Sequence, residues 1–307
     1  MKTVEYFTDW QLSRKFYLRQ STYEAEYIYF TRHIVPFFAA VAPELEDVSP
    51  VNVNDYVKLK LKTHSIASVK KHLHLIKQAL NEAVLLGYLQ YNPASPVRLP
   101  RACKAVSVKY VFLTANEAQF VLDALSDTDI YLPVALALYY GLRRSEVLGL
   151  KWQAIDFKRN TLTVQHTVVK NLTINAVDMT KTETSCRTFQ ILPELLPFLY
   201  NLKRTSAPMS DYLFCRADGT VMRPDTLTRT FQRELKKHNL PEMRFHDLRH
   251  STASVLFDKG WNLEDVKNWL GHSDIETTSN IYLHYGRTRK ILLAKDLEGM
   301  FKLKMKN

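Results

Sequence analysis

The chain has 307 residues, of which 46% are hydrophobic, and this length and composition suit two globular domains. Its 42 lysines and arginines exceed its 31 aspartates and glutamates, giving a net charge of +11, which favours either a polyanionic partner such as nucleic acid or simply a basic enzyme. Three separated cysteines argue against a disulfide framework or a zinc knuckle, and no apolar run approaches the roughly 20 residues of a membrane span, so we expect a cytoplasmic protein without membrane contact.

The N-terminal part of the sequence predicts a small helical bundle. A helix is expected from about residue 65 to residue 86, because apolar residues recur at helical spacing and Gly87 follows as a stop. The other side of this helix carries basic side chains, namely Lys70, Lys71, His72 and Lys77. Such a face is often merely solvated, but together with the net charge it equally indicates a surface that faces DNA.

Prolines mark a domain boundary about one third of the way along the chain. Pro93, Pro96 and Pro100 interrupt helix formation within a short stretch, which also contains Arg98 and Arg101. An extended, basic linker is therefore expected there. The predicted organisation is a helical domain at 1–97, a linker at 98–110 and a second domain at 111–307.

The second domain predicts mainly helices with a small amount of sheet. A buried helix is expected over 130–142, where the sequence is almost wholly apolar. Two runs rich in β-branched residues, 160–169 and 186–193, predict strands, and the polar sequence TKTETS between them predicts a hairpin or loop. Helices are expected to resume after Asp225. Asn262 and Gly271 have the residue types that start and end a short helix.

Four separated segments suggest the chemistry. They are GLRRSEVLGL at 141–150, TKTETSCRTFQIL at 180–192, HDLRHSTAS at 246–254 and LGHSDIETTSNIYLH at 270–284. Arginines suit a phosphodiester because the planar guanidinium group pairs with its oxygens. His246 and Arg249 stand at i and i+3, so they share one face of a helix. A metal site from His246, His250 and His272 is disfavoured because the arginines between them repel a cation.

In their order and separation, these segments resemble the tyrosine recombinase, or phage integrase, family. The resemblance implies a mainly α, two-domain fold. In it a helical core-binding domain of the SAM-like bundle type precedes an α+β catalytic domain with a small antiparallel sheet. The implied catalytic residues are Arg143, Lys181, His246, Arg249, His272 and the nucleophile Tyr282, with Glu146 in support. The two arginines would clamp the phosphate, and the lysine would protonate the departing 5′ oxygen.

The activity implied by the resemblance is site-specific recombination of double-stranded DNA through a covalent 3′-phosphotyrosyl intermediate. It needs no cofactor and no metal, and a homotetramer on two DNA sites would carry it out. Candidate DNA contacts outside the catalytic residues are Lys70, Lys71, Lys77, Arg98 and Arg101. Two alternatives stay open: a type IB topoisomerase, which rejoins the same strand after relaxation, and a noncatalytic DNA-binding regulator with the same fold.

Overall fold

The computed structural model describes residues 1–100, 111–170, 173–178, 186–205 and 210–271, with the backbone alone at 175–178. It divides into two compact units, Met1–Val108 with Asn171–Asn175 and Lys109–Lys170 with Ala176–Asn307. Four of the predicted functional residues lie outside the described residues, namely Arg101, Lys181, His272 and Tyr282. Among the described helices, none is long and apolar enough to cross a membrane.

The first unit, as described, is helical. Its helices are α1 Thr3–Ser13, α2 Gln20–Tyr29, α3 Val35–Val41, α4 Pro50–Leu61 and α5 Ile66–Leu85. A π-helical segment, Phe30–Ile34, continues α2 into α3. Ser49 and Ser65 begin α4 and α5, because each hydroxyl accepts a backbone N–H bond from the first turn. The core combines aliphatic side chains with the fully buried aromatic residues Phe7, Phe30, Phe38 and Tyr56.

Helix α5 confirms the predicted helix, and Gly87 follows its end with a φ of +78°. His72 was predicted on the basic side of this helix, facing solvent or DNA, and this is wrong because its side chain is fully buried. Its Nδ1 lies 2.9 Å from the Tyr56 hydroxyl, and its ring stacks on His33 with centroids 5.2 Å apart. α5 packs against both α4 and the π-helical segment, so it buries a wider arc than a single apolar stripe.

The second unit, as described, combines helices with short strands. Its helices are α6 Ala115–Ala124, α7 Tyr131–Tyr140, α8 Arg144–Gly149, α9 Leu196–Thr205, α10 Pro224–Lys237, α11 Phe245–Asp258 and α12 Leu263–Leu270. Its strands are β1 Ile155–Asp156, β2 Thr161–Val164, β3 His166–Lys170 and β5 Arg187–Gln190, and β4 Ile174–Asp178 begins in the first unit and ends in the second. The prediction that helices resume only after Asp225 is wrong, because α9 precedes that residue.

The sheet is small and antiparallel. Strand β2 lies between β1 and β5, with Leu162 opposite Phe189 and Val164 opposite Arg187. β3 and β4 form a separate two-stranded sheet. The single strand predicted over 160–169 is therefore two strands that belong to different sheets. The mainly α fold with a small antiparallel sheet in the second domain is confirmed.

Helices α7 and α11 form the centre of the second unit. α7 is apolar nearly all round and is buried on most of its surface, as the sequence predicts. α11 approaches it closely through small side chains. The Thr252 hydroxyl donates to the Leu138 carbonyl at 2.7 Å, and the Ser251 hydroxyl accepts the backbone N–H of Leu113 at 2.9 Å. This packing places the start of α11 beside the end of α7, where the charged residues gather.

Candidate active site

At the junction between α7 and α8, the side chains of two consecutive arginines bind different partners. α7 ends at Gly141, which adopts the left-handed conformation with φ +63° and ψ +29° that favours glycine. After this turn the Arg143 side chain donates to Glu146, with Nη1 2.6 Å from Oε1. The neighbouring Arg144 instead donates to the Thr228 hydroxyl at 2.7 Å. Of the two arginines, Arg143 therefore joins the charged cluster described next.

Glu146 is the acidic centre of this cluster, and its side chain is only 1% exposed. Besides Arg143, its Oε2 accepts a hydrogen bond from Arg187 Nη2 at 2.7 Å and lies 3.9 Å from Arg249 Nη1. Burial alone would raise the pKa of Glu146, but the three arginines outweigh burial, Arg187 most of all, and lower this pKa to about 2. Glu146 is therefore ionised, and the cluster of three arginines and one glutamate carries a net charge of +2.

Arg249 is the innermost member of the cluster and is fully buried on α11. Its Nη1 donates to the carbonyl of Gly141 at 2.7 Å. Burial and the proximity of Arg143 both lower the pKa of Arg249, although a guanidinium keeps its charge at neutral pH. Two neighbouring positive charges in a partly dry environment repel each other. An anion bound beside them would relieve that repulsion, which makes the cluster a suitable anion site.

Arg187 completes the cluster, although it was not among the site residues predicted from the sequence. It begins β5, its side chain is 8% exposed, and it contacts both oxygens of Glu146, with Nη1 3.4 Å from Oε1. Its guanidinium carbon also lies 5.5 Å from the centre of the Phe189 ring. A signal was present in the sequence, because a lone arginine in a β-rich run is an unusual choice for a strand that packs on a core.

The end of α12 also meets the cluster. Asn262 caps the start of this helix and Gly271 ends it with a φ of +66°, as predicted. The Gly271 carbonyl lies 3.4 Å from Arg143 Nη2, and a Cβ on Gly271 would lie 2.9 Å from Arg187 Nη1. A side chain at this position would therefore collide with the cluster. The next residue in the sequence is the predicted catalytic residue His272, outside the described residues.

His246 lies in the first turn of α11, with part of its side chain exposed. Desolvation by the surrounding protein and repulsion from Arg249 and Arg143 lower the pKa of His246 to about 4. The ring of His250 meets it edge-on at 4.8 Å, and burial lowers the pKa of His250 to about 4 as well. Both imidazoles are therefore neutral at pH 7. A bound anion would raise the pKa of His246 by favouring its charged form.

Of the predicted catalytic residues, the structure brings together Arg143, Glu146 and Arg249, and it places His246 on the same helix as Arg249. Lys181, His272 and Tyr282 lie outside the described residues, so their positions in the site stay predictions.

The predicted DNA contacts in the first unit differ in accessibility. Lys70 and Lys71 are exposed and line a surface groove of about 380 Å³ between α2 and α5. Lys77 is half-buried, and its Nζ donates to the carbonyl of Ser95 at 3.2 Å. Arg98 is exposed. Lys70, Lys71 and Arg98 therefore have the accessibility that a contact with DNA requires.

Comparisons with known proteins identify relatives of the chain. Residues 111–289 match the family model described as the phage integrase family. A tyrosine recombinase XerC-like protein of Caldanaerobacter subterraneus is 30% identical over 272 residues, which cover 80% of this chain and 69% of the relative. The ICEBs1 integrase of Bacillus subtilis is 25% identical over 296 residues, which cover 91% of this chain and 77% of the relative.

Solved structures share the fold. The Tn1549 transposon integrase in complex with a circular intermediate DNA has a TM-score of 0.75 and 19% identity, covering 95% of this chain and 99% of the other. A lambda integrase dimer bound to a COC′ core site has a TM-score of 0.66 and 20% identity, covering 90% of this chain and 96% of the other. A lambda integrase tetramer bound to a Holliday junction has a TM-score of 0.65 and 19% identity, covering 89% of this chain and 78% of the other. Since the family model matches more than half of the sequence, the chain belongs to the tyrosine recombinase, or phage integrase, family.

Proposed function

We propose that this chain is a site-specific DNA recombinase that cleaves and rejoins duplex DNA through a covalent 3′-phosphotyrosyl intermediate, with Tyr282 as the nucleophile. The observation that carries the proposal is the positively charged cluster of Arg143, Arg187, Arg249 and Glu146 in a chain of this family. A free tyrosine has a pKa of about 10, so its attack on a phosphate requires strong stabilisation of negative charge nearby. The cluster supplies positive charge of that kind.

The charge of the cluster suits the transition state better than the substrate. A phosphodiester carries one negative charge, whereas the pentavalent transition state carries two. Two positive charges held without reorganisation therefore stabilise the transition state more than the bound DNA, which lowers the barrier. Arg143 has 35% of its side chain exposed and is the accessible donor, with Arg249 buried behind it.

The remaining steps follow the roles that the family resemblance assigns. The hydroxyl of Tyr282 passes its proton to a base, for which the neutral imidazole of His246 is the proposed acceptor, and its oxygen bonds to phosphorus while the bond from phosphorus to the 5′ oxygen breaks. Lys181 gives the departing oxygen its proton. Attack by the 5′ hydroxyl of another strand then reverses the chemistry on a new partner. Because one phosphodiester is exchanged for another through a covalent intermediate, the reaction needs no external source of energy. The neutral imidazole of His246 is able to accept a proton or donate a hydrogen bond during these steps.

Double-stranded DNA is the proposed partner, and four protomers acting on two DNA sites are the proposed assembly. The net charge of +11 and the exposed Lys70 and Lys71 support binding to DNA. The Tn1549 integrase was captured with DNA, and lambda integrase was captured as a tetramer on a Holliday junction, which supports the assembly by analogy.

A trapping experiment tests the nucleophile. The protein is incubated with a pool of random-sequence DNA duplexes that each carry a nick, so that cleavage near the nick releases a short fragment and prevents rejoining. We expect a covalent adduct that survives detergent, and sequencing of the attached DNA gives the target site. Tyr282→Phe should form no adduct, whereas Tyr285→Phe, the matched control, should form as much as the wild type. An adduct with Tyr282→Phe would show that the nucleophile is another residue.

A second comparison tests the phosphate clamp on the site so identified. Arg143→Ala should slow adduct formation by about 10²- to 10³-fold, because it removes one donor to the transition state. Arg144→Ala is the matched control, since that side chain binds Thr228 and is expected to change the rate little. Strand exchange between two DNA molecules supports a recombinase. Relaxation of supercoiled DNA without exchange would indicate a topoisomerase, and binding without any adduct would indicate a noncatalytic regulator.

A further inference from the structure

We infer that Arg187 is a positioning residue of this site: it neutralises Glu146, so that Arg143 and Arg249 keep their charge for the phosphate. The inference rests on the proposed function and adds a residue that the motifs of the sequence did not assign. The single carboxylate of Glu146 interacts with three arginines, Arg143, Arg187 and Arg249.

The contacts of Arg187 show that it faces Glu146 and not solvent. Its two terminal nitrogens lie 2.7 and 3.4 Å from the two carboxylate oxygens, and the side chains are 8% and 1% exposed. Arg143 contacts the same carboxylate from a position that is 35% exposed. Glu146 therefore has an inner partner, Arg187, and an outer partner, Arg143. Only the outer one has substantial surface for DNA.

The net charge of the cluster depends on this arrangement. With Arg187 the cluster carries a net charge of +2, and without it the negative charge of Glu146 would leave only +1 beside a transition state that carries two negative charges. Glu146 would also be drawn more strongly to Arg143 and Arg249. Glu146 is useful because it aligns Arg143 through two hydrogen bonds, from the backbone N–H at 2.9 Å and from Nη1 at 2.6 Å. Arg187 allows that alignment without loss of positive charge at the site.

A simpler role for Arg187 is structural. It begins β5 opposite Val164 and lies near the Phe189 ring, so it could serve only to hold this strand in place. The two roles predict different behaviour when Glu146 is changed at the same time. If Arg187 only anchors the strand, changing Glu146 as well does not restore cleavage. If Arg187 neutralises Glu146, removing the charge of Glu146 does restore it.

The experiment compares three variants in single-turnover cleavage of the nicked duplex identified above: Arg187→Met, Glu146→Gln and the double variant. Arg187→Met should slow cleavage by about 10- to 100-fold, the effect that losing an orienting partner has at metal sites. The double variant should cleave at least about tenfold faster than Arg187→Met, because its net charge returns to +2 and the glutamine oxygen still accepts from Arg143. Arg233→Met with Glu234→Gln is the control pair, since the exposed Arg233 and the buried Glu234 form an ion pair at 3.0 Å on α10, outside the cluster, and its rate should match the wild type.

The pH dependence supplies a second readout. Removal of Arg187 takes away the largest of the interactions that lower the pKa of Glu146, so in Arg187→Met this carboxyl should take up a proton at a higher pH. Protonation removes the unwanted negative charge, so the ratio of the Arg187→Met rate to the wild-type rate should rise as the pH falls. The same ratio for the double variant should stay flat.

The outcomes separate the inference from the proposed function. A wild-type protein that forms no adduct with any duplex would overturn the proposed function and the inference with it. If the wild type forms an adduct but the double variant is no faster than Arg187→Met, the inference alone is wrong and Arg187 is a strand anchor. Should Arg187→Met fail to fold, Arg187→Lys keeps the charge and should remain within about tenfold of the wild-type rate. A loss beyond about tenfold in Arg187→Lys would also overturn the inference.

Discussion

Replacing Gly141 with alanine is expected to destabilise the second unit through two separate effects. Gly141 has a φ of +63°, and the left-handed conformation costs an L-residue roughly 1–2 kcal/mol. The added Cβ would also lie 2.2 Å from Cδ2 of Leu270, far inside van der Waals contact. Leu270 is fully buried, so its displacement is an overpacking of the kind that costs about 1–3 kcal/mol. The expected loss in the free energy of unfolding is therefore about 2–5 kcal/mol.

Gly260→Ala is the matched control for this prediction. Gly260 also follows a helix with positive φ, at +89°, but a Cβ there would meet nothing within 4 Å, so only the conformational cost applies. Urea denaturation of both variants gives the two free energies, and the difference between them measures the collision with Leu270. Equal losses in the two variants would refute the steric part of the reasoning. We also expect slower adduct formation by Gly141→Ala under folding conditions, because the Gly141 carbonyl holds Arg249.

Three further predictions concern stability and DNA binding. Burial lowers the pKa of His72 from 6.5 to about 4, so between these pH values the unfolded chain binds a proton that the folded chain does not. The free energy of unfolding should therefore fall as the pH drops through this window, by about 2 kcal/mol at pH 5. His72→Gln should reduce this pH dependence in urea titrations. Lys70→Ala with Lys71→Ala should lower the slope of log affinity against log salt by up to about 2, whereas an unchanged slope would remove both lysines from the DNA contact. Thr114→Ala should cost about 1 kcal/mol, because Thr114 caps α6, and a loss below about 0.3 kcal/mol in urea denaturation would contradict that role.

Local patterns in the sequence predicted the helices best. The apolar spacing of α5, the apolar run of α7 and the capping residues of α12 act within a few residues, so they are readable without the fold. The strands were less predictable. β2 and β3 follow each other almost directly, and only their partners in space show that they belong to two sheets.

The dependence of long-range contacts on the fold also explains which site residues could be predicted from the sequence. Arg143, Glu146 and Arg249 belong to segments with a recognisable family pattern, and Arg143 and Glu146 are also close in sequence. Arg187 stands 41 positions from Glu146, so their ion pair depends on how the folded chain brings β5 beside α8. No local rule contains that information. The burial of His72 was missed for a related reason, since the neighbours of α5 decide how wide its buried face is.

Helix ends explain how the site holds arginines without cancelling their charge. α7 and α12 each end in a left-handed glycine, Gly141 and Gly271, whose carbonyls accept hydrogen bonds from Arg249 and Arg143. The C-terminus of a helix carries a partial negative charge of about half an electron, together with carbonyls that lack helical partners. Such an end stabilises and orients a guanidinium while subtracting no full charge. A carboxylate in each place would have lowered the net charge of the cluster from +2 to zero, and the cluster would then have lost its attraction for a phosphodiester.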